Sequence, residues 1–102
     1  MKIGTILILD NDVESNNLAK HFLIKGGYKT ITATKILDGL EIIKKKFNEI
    51  VLILLEPALK DSSYLIKTIK ENENYTHIKI IIYLSKKIKK LDYNDAINFF
   101  KF

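Results

Sequence analysis

The sequence predicts one α/β domain, a parallel sheet of five strands held between two layers of helix. Three observations predict it. Apolar runs of about six residues, too short for helices, alternate with longer segments of helical periodicity. The stretches joining them are short, and the 102 residues contain no linker, internal repeat or low-complexity tract. Such alternation is the pattern of strand–helix–strand units joined by right-handed crossovers.

The segment "IGTILIL" (3–9) is apolar and runs into Asp10, Asn11 and Asp12, so it reads as a buried parallel strand. Residues 12–25 then form a helix with Leu18, Phe22 and Lys25 on one stripe, Leu23 and Ile24 widening it, and Gly26–Gly27 stopping it. Its cap is Asn11 or Asp12, and Asn11 with Glu14 fits a capping box. "YKTITA" (28–33) alternates and is rich in β-formers, which suits a strand nearer an edge. From 35 to 47, Ile36, Leu40, Ile43 and Phe47 recur at helical spacing, and "KKK" (44–46) lies at the carboxyl end, where cations favour the helix dipole.

"EIVLILL" (49–55) is the most apolar run and is expected to be the central strand. Asp61, Ser62 and Ser63 offer caps for a helix over 63–72 whose Leu65, Ile66 and Ile69 face inward. "HIKIIIYL" (77–84) is the fourth strand. "SKKIKKLDYNDA" leaves room only for a short helix or turn before "INFFKF" (97–102), read as the fifth.

Composition narrows the function. Nearly half the residues are apolar, too many for a disordered chain, yet 28% are charged and no apolar run is long enough to cross a bilayer. The start "MKIGTILILD" lacks the features of a secretory signal, and no cysteine is present, so disulfides and thiolate metal sites are excluded and the cytoplasm is the expected compartment. All the basic residues are lysine, giving a net charge of +5. Without arginine the surface lacks the bidentate donor for guanine and phosphate, so nucleic-acid binding is disfavoured. His21 and His77 have no matching ligands and read as surface residues.

In an open parallel sheet, chemistry gathers where the strands' carboxyl ends meet. That edge is expected to collect Asp10, Asn11, Asp12, Glu56, Ser85 and Lys101, residues distant in sequence. Taken in order, "ILILDND", "TATKILDGLEIIKKKFNEIVLILL", "IKIIIYLS" and "NFFKF" resemble the receiver domain of response regulators in two-component signal transduction, over essentially the whole chain (1–102). The resemblance implies a flavodoxin-like three-layer sandwich with strand order 2-1-3-4-5. It also implies Mg²⁺-dependent transfer of a phosphoryl group from a histidine kinase to an aspartate ending the third strand. Asp10 matches the first acid of the metal pair, Ser85 the switch hydroxyl and Lys101 the family's lysine position.

Two departures change the expectation. Asn11 stands where the second acid belongs, although Asp12 follows it, and the acceptor position falls on Leu54 or on Glu56, never on aspartate. Mg²⁺ takes oxygen ligands, carboxylates among them, and each lost contact between charges removes on the order of 1–4 kcal/mol of attraction. Asp10 is then a weak metal ligand at most, and no cofactor is expected beyond weakly held Mg²⁺. The expected module is a pseudo-receiver, not an enzyme, that works through protein–protein contact. A phospho-receiver with an unorthodox site, served by a histidine kinase, is the alternative, and a small basic nucleic-acid binder is the second.

The resemblance also ends early. Only Phe102 follows Lys101, so the family's last helix is expected to be missing. Roughly 400 Å² of uncovered apolar sheet forgoes about 10 kcal/mol of burial. A second copy or another protein is therefore expected to cover Phe99, Phe100 and Phe102, with a homodimer the simplest case.

Overall fold

The structure, a computed structural model, describes residues 4–102; Ile3, the expected start of the first strand, lies outside them. Elements follow in the order β1 (Thr5–Leu9), α1 (Val13–Lys25), β2 (Lys29–Ala33), α2 (Ile36–Lys46), β3 (Ile50–Leu55) and α3 (Ser62–Glu71). A single 3₁₀ turn (Glu73–Tyr75) leads to β4 (Lys79–Ile82), then α4 (Ser85–Ile88) and α5 (Tyr93–Phe99). The four strands form an open parallel sheet in the order β2-β1-β3-β4. This is a parallel α/β fold compatible with a flavodoxin-like domain. No helix among the described residues is long and apolar enough to cross a membrane.

Successive side chains of a strand face opposite ways, so the sheet divides the core in two. Leu7, Leu9, Ile53 and Leu55 meet Ile43 of α2 and Leu65 and Ile69 of α3 on one face. Ile6, Ile8, Leu52 and Leu54 meet Ala19, Phe22 and Leu23 of α1 on the other. All five residues of β1 are buried, which explains why it reads as an unbroken apolar run. At Gly39 a Cβ would stand 2.6 Å from Leu9 Cδ2, so the glycine lets α2 lie close on the sheet.

The carboxyl-terminal segment corrects the expectation. Residues 93–99 are helical, and no fifth strand exists among the described residues. Asp92 caps this helix, accepting from the Asp95 amide at 2.8 Å. The spacing Ala96–Phe100 buries both residues on the α1 side, where the Phe100 ring stacks on Phe22 with centroids 5.8 Å apart. Four-residue spacing and a cap outweigh the β-propensity of three phenylalanines, because together they place one continuous apolar face on the core. A helix therefore lies where bare sheet was expected, and among the described residues the fifth strand is what the sheet lacks. Phe100 is a core residue, Phe99 is half-buried, and Phe102 is exposed with its carbonyl accepting from the Tyr28 hydroxyl. The reason for expecting a second copy on that face is thereby removed.

Candidate functional site

Strand register builds the site. Leu9 pairs with Leu55, and Leu55 with Ile82, so the next residue of each strand falls in one row: Asp10, Glu56 and Tyr83. By alternation these three face the α1 side, continuing Ile8, Leu54 and Ile81. Leu54 sits one layer below, wholly buried in the core opposite Ile8. Of the two residues weighed for the acceptor position, Glu56 is thus the one level with Asp10.

Asp10 is completely buried. Its Oδ1 accepts from the Asp12 amide at 2.9 Å and from the Ser85 hydroxyl at 3.0 Å. Its Oδ2 accepts from the Tyr83 hydroxyl at 2.6 Å and from the Ser15 hydroxyl, with Ser85 Oγ also at 3.0 Å. A carboxylate offers about four lone-pair directions, and here three hydroxyls and one amide occupy them. Its carbonyl is engaged too, by Asn16 Nδ2 at 2.9 Å. A buried charge with this many donors is tolerated without a counter-ion because each bond to an ionised acceptor is stronger than a neutral one. Burial, and then the bond to Asp10, pushes the Tyr83 hydroxyl well above the ordinary tyrosine range.

Glu56 is buried beside it, and both its oxygens are taken: Oε1 by the Ser85 amide at 3.0 Å, Oε2 by the Ala58 amide at 2.6 Å. Ser85 therefore joins the two acids, its amide on Glu56 and its hydroxyl on Asp10. It can do so because α4 begins right after β4, turning that amide and hydroxyl back over the strand ends.

The flanking residues divide. Asp12 is the N-cap of α1, accepting from the Ser15 amide at 3.0 Å; of the two residues weighed for that cap, it is the one used. Its other oxygen meets Lys89 Nζ at 2.6 Å. The Lys89 bond holds the Asp12 carboxyl below the usual carboxylate range, and Asp12 raises the Lys89 amine in return. Asn11 is exposed and lines a separate open hollow with Thr34, Lys35, Leu59, Lys60 and Asp61. Lys101 is exposed beyond α5; its amide meets the Asn98 carbonyl, and among the described residues no hydrogen bond joins its amine to Asp10 or Glu56. Without a fifth strand nothing carries it to the sheet's edge, and the lysine that does reach this group of acids is Lys89, on Asp12.

Ser15, Asn16 and Tyr83 were not among the residues expected here. A signal existed for each. Tyr83 follows Ile81 at the two-residue period of a strand, and Ser15 and Asn16 lie one helical turn after the Asp12 cap.

An Mg²⁺ ion does not fit this arrangement as it stands, since the Asp10 lone pairs are filled, Asn11 faces a different hollow and Asp12 is paired with Lys89. Among the described residues no group of three or more histidine, aspartate or glutamate side chains is placed to hold a metal ion. No protein-family model matches the chain, and no curated protein matches it.

Proposed function

We propose that the chain is a receiver-like signalling module that acts by binding another protein, without accepting a phosphoryl group at the strand ends. The observation that supports this reading is the closed state of Asp10: four protein donors stand where a cation would need oxygen lone pairs. Glu56, level with it, is buried with each oxygen held by a backbone amide, which fixes the carboxylate facing the chain's own loops and takes half of its lone pairs. In this reading the acids, Ser85 and Tyr83 are structural. They fasten the loops at the strand ends and fix the start of α4.

Intact-mass measurement after incubation with acetyl phosphate and Mg²⁺ tests the proposal. The expected result is an unchanged mass. A phosphoryl adduct mapping to Glu56, Asp10 or Asp12 overturns it and restores the phospho-receiver alternative.

A further inference from the structure

The sheet ends at β4, and its outer edge is open. Tyr83 donates to Leu55 of β3 at 3.1 Å, and in a parallel pair alternate residues turn both backbone groups to the same neighbour. Tyr83, Ile81 and Lys79 therefore face β3, while Ile80 and Ile82 turn their N–H and C=O groups outward. Among the described residues nothing bonds to them. Apolar surface lies open beside the edge: Ile82 is 55% exposed and Leu84, just past the strand, 46%. Beside the edge, between the end of α3 and β4, lies an open hollow of about 360 Å³ lined by Ile69, Lys70, Tyr75, Thr76, Ile78 and Ile80.

We infer that this edge receives an extended, acidic segment of a partner protein as a fifth strand. The inference rests on the proposed binding role and names the surface that would perform it. Unpaired backbone supplies the ladder, and the hollow supplies a place for one apolar side chain of the incoming strand, the two elements of strand addition. Charge selects the partner. Lys70, Lys79, Lys86 and Lys87 are exposed around the edge; Glu71 and Glu73 flank its amino end, so the positive balance is concentrated toward Lys86 and Lys87. A second copy fits less well. Each chain carries +5, and a four-residue strand offers only ~13 Å of ladder to a twin, far short of a stable dimer interface. A longer acidic segment continues past that ladder onto the lysines.

Backbone hydrogen exchange reads this directly. In the free protein the amides of Ile80 and Ile82 are expected to exchange as open backbone while Ile81 and Tyr83 are protected. Twelve-residue peptides selected from a random display library on the immobilised protein are expected to be rich in Asp, Glu and β-branched residues. Synthetic copies are expected to slow Ile80 and Ile82 at least about tenfold. Ile82→Pro removes an outward donor while leaving the bonds to β3, and is expected to abolish the peptide's protection of the Ile80 amide. Should that variant fail to fold, Lys79→Glu with Lys87→Glu, both exposed, is expected to abolish the same protection. The inference is overturned if selection yields no binders or basic ones, or if binders protect other amides. It is also overturned if the edge becomes protected with rising protein concentration alone, which would assign it to a second copy. None of these outcomes depends on phosphoryl transfer, so a failure here and a failure of the proposed function are told apart.

Discussion

Replacing Tyr83 by Phe removes one oxygen and leaves the ring in place. That oxygen is buried and donates to Asp10 at 2.6 Å. A hydrogen bond to a charged group contributes about 1.5–3 kcal/mol, and Asp10 keeps its other donors, so the expected loss is about 2 kcal/mol. For a domain of this size that lowers the thermal midpoint by about 10 °C. Urea unfolding followed by circular dichroism measures the loss at neutral pH. The pH dependence adds a second reading. Because the hydroxyl is raised in the folded protein, folded Tyr83 keeps its proton where the unfolded chain releases it. Its contribution is full below the ordinary tyrosine range and declines as pH climbs above about 10. The gap between wild type and Tyr83→Phe should therefore narrow above that pH. A gap under about 0.5 kcal/mol at neutral pH, against the ~2 expected, refutes the account of Asp10 as an anion held by hydroxyls. A gap constant across the alkaline range refutes the assignment of the shift to burial and Asp10.

Two further substitutions test the fold. Phe100→Ala should cost about 3–4 kcal/mol by calorimetry, since the ring is buried against Phe22, whereas Phe102→Ala, exposed, should cost less than about 0.5; equal effects would argue against α5 as a core helix. Asp61 precedes α3 in the left-handed region (φ 70°) without a side-chain capping bond, so Asp61→Gly should stabilise by about 0.5 kcal/mol in denaturant titration.

Most of the architecture was legible because the strong signals were local ones. The runs at 3–9, 49–55 and 77–84 cannot be amphipathic helices, and Gly26–Gly27 can only end one. The carboxyl terminus was misread because three phenylalanines in four residues favour a strand by propensity, while what decides the segment is where Phe22 waits for Phe100 in the core. That is a tertiary fact. The error carried Lys101 with it, since a lysine at a strand end and one on a tail share a sequence position but not a place. The acids fared differently: strand register puts Asp10 and Glu56 side by side once the parallel pairing is known, and the sequence supplies that pairing only through the fold class. Tyr83 was hidden by its own character, as an aromatic in an apolar run reads as core packing.

One consequence of β1 remains. Its five residues are buried on both sides of the sheet, so sliding the strand by one residue would exchange one oily face for another at small cost in hydrophobic burial. What marks its alignment is the polar residue at its tip. A slip of one rise, ~3.3 Å, pulls Asp10 away from Ser15, Tyr83 and Ser85 and drags an ionised group among methyls. The aspartate thus serves as an index mark that keeps an otherwise featureless strand from threading out of step.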